Sequence, residues 1–517
     1  MALPQHAAEV RTSQTHTYGQ ILRSTALIGG STAVNLAFRI VRAKAMALLL
    51  GPTGVGLLGL YNAVADLTQS VAGMGVQSSG VRQIAEAVGS GDQERIARTV
   101  VVLRRASILL GILGAGLLVA FAKPISQVTF GSDQQALGLA LLSVAVFFRL
   151  VSVGQGALIQ GMRRVKDLAA MTVVGALLGT LSSILLVYFF RERGIVPSLL
   201  AVAALSALIS WRYSRSVRID VPRMTFGQVV QEAAALFKLG AAFMASGMMM
   251  MGSAYAVRII VLHRIGFEAT GLYQSAWAIG GLYVGFILQA MGADFYPRLT
   301  ACAGDNAACN RLVNEQARVG MLLGGPGALA TLTLAPVVLA LFYSSEFSGA
   351  VEVLRWICLG VALRVISWPM GFIVLAKGRQ NIFFWSELAW SIVNVGLTWV
   401  CVGWFGLSGA GIAFFASYVF HGLLIYSVVR TLSGFRWSPE NLRTGLMFLS
   451  VTAAVFCGFF VLPLVLAGGI GIVAAVLSGV LSLRALLTLV AWDQIPKPIA
   501  RLLVAVGFVP ADSPRVR

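Results

Sequence analysis

Residues 136–160 read ALGLALLSVAVFFRLVSVGQGALIQ, a stretch with one charge, Arg149, and no proline. A hydrocarbon core about 30 Å thick takes about 20 helical residues to cross, so a run this long and this apolar is a membrane-spanning helix. The same reading repeats outward in both directions. Comparable windows lie at 21 to 50, 57 to 79, 100 to 121, 168 to 190, 195 to 213, 239 to 263, 271 to 296, 318 to 343, 351 to 376, 382 to 402, 407 to 429, 443 to 467 and 469 to 491, so the chain is expected to cross about fourteen times. Composition agrees. Hydrophobic residues make up 58% of the 517 residues and charged residues 11%, with a mean hydropathy of +0.84. The fold class predicted is all-α and polytopic, with no soluble domain.

Basic residues orient the chain, because Lys and Arg are retained on the cytoplasmic side. Alternate connections are basic: Arg82 to Arg105, then Arg163, Arg164 and Lys166, then Arg212 to Lys238, then Arg298, Arg311 and Arg318, then Lys377 and Arg379, then Arg430, Arg436 and Arg443. The intervening ones hold only Lys123, Arg191, Arg193 and Arg264. Both termini are therefore expected in the cytoplasm. The polar first 20 residues lack a short apolar core followed by a cleavage site, so the first span is expected to be an uncleaved helix. Dispersal of the +19 net charge over many loops speaks against nucleic-acid binding, which gathers basic residues on one face.

A shift of about 212 to 217 residues lays Gly51 and Gly56 on Gly266 and Gly271, Arg42 near Arg258, Gly91-Asp92 on Gly304-Asp305, Pro124 and Phe130 on Pro336 and Phe342, and Arg149 on Arg364. The near-constant shift over six spans predicts two parallel six-helix lobes around a central cavity. The expected organisation is a cytoplasmic segment 1–20, an N-lobe 21–213, an amphipathic cytoplasmic linker 214–238, a C-lobe 239–430, two further helices within 431–491 and a cytoplasmic tail 492–517.

Ionisable residues inside spans are costly in hydrocarbon and face aqueous interiors, so they point to the site. In the first span Ser31, Asn35, Arg39 and Arg42 recur at helical spacing and form one polar stripe. Tyr255 and Arg258 form a comparable pair in the seventh, and Arg149 and Arg364 stand near mid-span where snorkelling is hardest. Few acids accompany them: Asp66, Asp294 and Glu387, the candidates for a coupling ion. A cationic interior is predicted, with Asn35, Arg39, Arg42, Arg149, Arg258 and Arg364 binding an anionic substrate. The planar guanidinium fork suits phosphate oxygens. Arg355 and Arg484, at span ends, read as structural, as do the Gly175 and Gly179 step and the run Met248 to Met251. Five cysteines and four histidines show no disulfide framework, zinc spacing or nucleophile–base arrangement, so no metal, cofactor or catalytic residue is expected.

The motifs Leu50-Gly51-Pro52-x-Gly54-x-Gly56, Ala122-Lys123-Pro124-Ile125-Ser126, Leu375-Ala376-Lys377-Gly378 and Ser386-Glu387, taken in order and spacing, resemble the Wzx-type O-antigen and enterobacterial common antigen flippases of the multidrug/oligosaccharidyl-lipid/polysaccharide exporter superfamily. The resemblance covers roughly residues 20 to 430. It implies two six-helix lobes and transfer of undecaprenyl-pyrophosphate-linked oligosaccharide from the inner to the outer leaflet of the bacterial cytoplasmic membrane by alternating access. A polysaccharide polymerase and a chain-length regulator are implied as partners, and a monomer is expected. The two additional spans are similar to those of the lipid II flippases, the main alternative. A multidrug exporter would favour a carboxylate-rich interior, and a glycan polymerase would need larger external loops. With no P-loop motif present, a proton or sodium gradient or the membrane potential is expected to drive the cycle.

Overall fold

The computed structural model describes residues 4–217 and 224–489, with side chains described from Gly30 onward except at some positions between 226 and 246 and between 286 and 294. The tail from 492 and the side chain of Asp294 lie outside the described residues. Among the described residues all regular structure is helical. The elements are α1 (Pro4–Ala72), α2 (Val76–Ser90), α3 (Gln93–Ala120), α4 (Ala122–Phe130), α5 (Ala136–Gly161), α6 (Val165–Phe190), α7 (Ile195–Ser214), α8 (Phe226–Arg264), α9 (Phe267–Ala301), α10 (Asn306–Thr333), α11 (Ala335–Phe342), α12 (Val351–Ala376), α13 (Gln380–Phe405), α14 (Ser408–Ser433), α15 (Pro439–Val461) and α16 (Leu464–Leu489).

Nine helical stretches among the described residues are long and apolar enough to cross a membrane, or ten if the bent pair α10 and α11 forms one crossing. Two of the nine, Gly30–Ala72 with 43 residues and Val165–Ser214 with 50, are longer than one crossing requires. At 1.5 Å per residue they measure about 65 and 75 Å, roughly twice a 30 Å core. In the first stretch the continuity is interrupted at Gly51, whose φ of 64° and ψ of −174° belong to no helix, with Pro52 following. The window at 57 to 79 likewise runs past a second break, where Gly75 takes a φ of 63° at the start of α2.

The repeat is written in the backbone. α3 and α10 each have 28 residues, and α5, α6, α12 and α13 each have 26. Short helices α4 and α11 follow breaks at corresponding places. Gly51 and Gly266 both combine a positive φ with a ψ near 180°, the latter with φ 119° and ψ −178°. Arg191 (φ 52°, ψ −130°) corresponds to Gly406 (φ 58°, ψ −139°), a positive φ that costs a residue with a Cβ more than it costs glycine. Asp92 and Asp305, aligned by the same shift, both cap helices: the first accepts from the Arg95 N–H and the second from those of Ala307 and Ala308.

The chain divides into two compact units, Met1–His263 with Phe342–Ser344, and Arg264–Leu341 with Ser345–Arg517. α8 thus packs with the first unit. Its start at Phe226 makes the second half of the 214–238 segment continuous with the seventh span. In the first unit a core of Tyr61, Val64, Leu118, Leu139, Leu142, Val146, Ile195 and Leu199 joins α1, α3, α5 and α7. In the second, α9, α10, α12 and α14 meet around Phe295, Val313, Ile373 and Val429.

The C-terminal pair is held on the second unit by polar contacts. Ser438 caps α15, Arg318 pairs with Glu440, and the Asn441 amide donates to the Asn314 carbonyl oxygen at 2.7 Å. Arg355 fits the structural part read from its position: its guanidinium stacks 3.5 Å above the Phe459 ring, and Nε donates to the Leu332 carbonyl.

Candidate functional site

The polar stripe of α1 faces a cavity of about 320 Å³ in the first unit. Asn35, Arg39 and Arg42 form one wall. Across from them are Met171, Thr172, Gly175, Ala176, Gly179 and Thr180 of α6, Val202, Ser206 and Ile209 of α7, and Ser152 of α5. The Gly175 and Gly179 step lines the cavity, and Gly179 also serves the helix packing read from the sequence, since a Cβ there would stand 3.5 Å from Val202 of α7. A Cβ built on Gly175 meets no atom within 4 Å, so the missing side chain leaves space in front of the arginines.

Arg149 reaches this cluster from α5. Its Nη1 donates to Asp66 Oδ1 at 2.7 Å and its Nη2 to Asn62 Oδ1 at 3.0 Å. Arg42 lies within electrostatic reach of both Arg39 and Arg149. Three guanidinium groups therefore share one region with one carboxylate, and the net charge there stays positive. Arg149 has its own partner, 83 residues away in the chain, while the acids stay too few to neutralise all of these arginines. Asp66 remains 49% exposed, so the pair is screened, and exposed pairs contribute about 0–1 kcal/mol.

On the Asp66 side lies a second cavity of about 430 Å³. Its walls are Asp66, Gln69 and Ser70 of α1, the break at Gly73 and Gly75, and Val76, Gln77 and Ser78 of α2. Ser107 and Leu110 of α3, Leu150, Val153 and Gly154 of α5, and Met244, Gly247 and Met251 of α8 complete it. The break is where α8 comes closest. A Cβ on Gly240 would stand 2.2 Å from the Met74 carbonyl oxygen, and one on Gly75 would stand 2.1 Å from the Gly240 carbonyl oxygen.

Arg258 sits apart from both cavities, its Nη1 donating to the Ala254 carbonyl one turn back on α8 at 2.7 Å. Its neighbour Tyr255 bonds through its hydroxyl to that of Thr129 on α4, and His263 Nε2 stands 3.1 Å from the Thr129 carbonyl oxygen. Arg364 belongs to the second unit. There Arg364 and Glu387 both act electrostatically on the buried Tyr418 hydroxyl, and His421 Nε2 stands 3.7 Å from Glu387 Oε1. His421 packs against the rings of Trp390 and Tyr418, and its Nδ1 and the Trp390 indole nitrogen are buried without a hydrogen-bond partner among the described residues. Sequence reasoning missed His421. The repeat could have found it, because the 215-residue shift that aligns Arg191 with Gly406 also places Glu387 on Thr172 and His421 on Ser206, both cavity-lining in the first unit. Cys302 and Cys309 also converge, their sulfurs 3.7 Å apart.

Residues 45–352, more than half of the chain, match the family described as Polysaccharide biosynthesis protein. The chain belongs to that family. The polysaccharide biosynthesis protein superposes on the lipid II flippase MurJ in an inward closed conformation with a TM-score of 0.65, at 14% identity, covering 90% of this chain and 99% of that one. It superposes on an inward-facing MATE family multidrug resistance transporter of the MOP superfamily with a TM-score of 0.64, at 16% identity, covering 77% and 94%. In sequence it is similar to the lipid III flippase of Escherichia coli (strain K12), 22% identical over 400 residues, which are 75% of this chain and 93% of that protein. With nine or more helical stretches among the described residues apolar enough to cross a membrane, the protein is a multi-pass membrane protein.

Proposed function

We propose that this protein is a flippase for lipid-linked oligosaccharide, moving an undecaprenyl-pyrophosphate-linked repeat unit of an O-antigen or related polysaccharide from the inner to the outer leaflet of the bacterial cytoplasmic membrane by alternating access. The observation that carries the reading is the convergence of Arg39, Arg42 and Arg149 beside a cavity, with a single carboxylate among them. A cluster with net positive charge in a membrane helix bundle suits a multiply anionic headgroup and repels cations, which disfavours export of cationic drugs. The similarity to a lipid III flippase supports a glycan-bearing polyprenyl substrate, while the likeness to a lipid II flippase is one of fold. Guanidinium groups hold the pyrophosphate, the polyprenyl tail stays in lipid, and no covalent step is involved. A polymerase and a chain-length regulator are the partners such a product calls for.

The test is complementation of strains lacking either an O-antigen flippase or a lipid II flippase, with surface glycan and cell-wall synthesis as readouts. Restored surface polysaccharide in the first supports the proposal. Rescue of the second alone replaces it with the lipid II reading.

The alternation of basic connections supports a cytoplasmic location for both termini. Cysteines introduced at Ser132, Glu346 and Gly468 are therefore expected to react with impermeant thiol reagents on intact cells, and ones at Asp92, Arg163 and Arg436 are not. Labelling of the second group would reverse the orientation.

Coupling to a proton or sodium gradient is assigned here to Asp66 and to the Glu387 and His421 pair, intramembrane ionisable groups that each have a named partner. Asp294 is the third acid inside a span. Asp66→Asn, Glu387→Gln and His421→Ala are expected to retain substrate binding and to lower gradient-driven transport by about tenfold or more in proteoliposomes, a loss corresponding to about 1.4 kcal/mol in the driven step. Transport that responds to an imposed gradient as in the parent protein would leave these residues with a structural part only.

A further inference from the structure

The 430 Å³ cavity of the first unit is chemically unlike the arginine-lined one beside it. Its polar wall consists of Gln69, Gln77, Ser70 and Ser78 with one carboxylate, Asp66, and no basic side chain contributes. Among the described residues, the side-chain amides of Gln69 and Gln77 and the hydroxyls of Ser70 and Ser78 make no hydrogen bond to another protein group. Each glutamine amide offers two donors and an acceptor, and each serine hydroxyl offers one donor and acceptor capacity. That is the complement of a ligand dense in hydroxyl groups. A phosphate would find no basic side chain on this wall, the one nearby guanidinium, Arg149, being already bonded to Asp66, and an acyl or prenyl chain would strand these polar groups unpaired. The volume lies within the range of small-molecule sites, roughly 300–1,000 Å³.

Position adds the second argument. Arg149 is bonded to Asp66, which lines this cavity, and acts electrostatically on Arg42, which lines the other. One ion pair therefore stands between a cationic pocket and a neutral, hydroxyl-compatible one. A pyrophosphate ester of a sugar has this same order of charges: two phosphates, then a ring bearing hydroxyls.

Resting on the flippase reading above, we propose that this cavity is a glycan subsite, taking the sugar attached to the pyrophosphate while the phosphates occupy the arginine cluster. Gln69 and Gln77 carry the recognition, with Ser70 and Ser78 completing it. Met244 and Met251 of α8 supply an apolar wall for a sugar ring face.

The experiment compares three probes with the full-length protein in lipid nanodiscs: undecaprenyl pyrophosphate without sugar, the same lipid bearing one N-acetylhexosamine, and the same lipid bearing a trisaccharide. Affinities are measured for the parent and for the double variant Q69L/Q77L. The parent is expected to bind the one-sugar lipid about tenfold tighter than the bare lipid, the gain from one or two net hydrogen bonds. The trisaccharide should add little more. In the double variant the ratio should fall towards one, with affinity for the bare lipid unchanged. Should Q69L/Q77L fail to accumulate, Gln77→Glu and Ser78→Ala carry the same comparison. Equal parent affinity for bare and one-sugar lipid, or a preserved ratio in the variants, overturns the glycan subsite while leaving the pyrophosphate site standing. A variant effect on sodium or proton dependence with the sugar ratio intact also overturns it, assigning the cavity to a cation instead. Failure of the parent to bind any of the three probes overturns the flippase reading itself and the subsite with it.

Discussion

Arg42→Ala is expected to cut substrate-induced stabilisation by about half or more and to cripple transport while leaving the protein in the membrane at near-normal abundance. A ligand at 100 times its Kd stabilises the folded state by about 2.7 kcal/mol, so the parent protein should show an upward shift of its thermal unfolding when lipid-linked substrate is added. Hydrogen bonds to charged groups contribute about 1.5–3 kcal/mol each, so losing one guanidinium from the cluster lowers affinity by about 10- to 100-fold and removes about half of that shift or more. Arg42→Lys keeps the charge but not the fork and should fall between. Arg149 calls for a cycle, because removing it also strips Asp66 of its partner. With Asp66 half-exposed, the stability cost of Arg149→Ala should stay near 1 kcal/mol or below. If Arg149 binds substrate, Asp66→Ala combined with Arg149→Ala transports no better than Arg149→Ala alone. Recovery in the double variant would mean that Arg149 serves only to neutralise Asp66. Wild-type transport in the Ala variants at Arg39, Arg42 and Arg149, or failure only through loss of the protein, would end the cationic-site mechanism. The same variants at Arg258 and Arg364 decide whether those two take part.

Gly240→Val should be strongly destabilising. The Gly240 Cα and the Met74–Gly75 backbone are in direct contact, and an added Cβ would fall 2.2 Å from a carbonyl oxygen. A backbone atom cannot swing aside as a side chain can, so α8 must separate from the break between α1 and α2. Overpacking of this kind costs about 1–3 kcal/mol, and the β-branched side chain adds a helix-propensity cost of a few tenths. The variant should unfold several degrees below the parent and expose the neighbouring cavity wall, so that a cysteine placed at Ser70 reacts faster with a soluble maleimide. Gly252 of the same helix is the control: a Cβ there meets nothing within 4 Å, and Gly252→Ala should be neutral or stabilising by about 0.5–1 kcal/mol. Equal behaviour of the two variants would show that the close backbone contact does not hold α8 in place.

Much of the fold was legible because helix formation in a bilayer is decided locally. An apolar run that must satisfy its own backbone has one conformation open to it, and the windows read from hydropathy fall on helices, with α5 spanning Ala136–Gly161 against a window of 136 to 160. The repeat was legible for the same reason, since glycines at positive φ and capping aspartates are local requirements that recur where the backbone recurs. Hydropathy does not register a break inside a continuous apolar run, so the helix end at Gly73–Gly75, inside the window 57 to 79, was blurred, whereas the break at Gly51 fell between two windows.

The site divides along the same line. The stripe of Asn35, Arg39 and Arg42 follows from helical spacing alone, and the sequence by itself determined that these three face one direction. The partners of charged groups were decided by tertiary structure: Arg149 meets Asp66 across 83 residues, His421 meets Glu387 on a neighbouring helix, and Gly175 fronts a cavity where it could equally have packed against a helix. Periodicity is a property of one helix, whereas a pairing depends on which helices lie side by side and at what axial offset. That information enters only when the bundle packs.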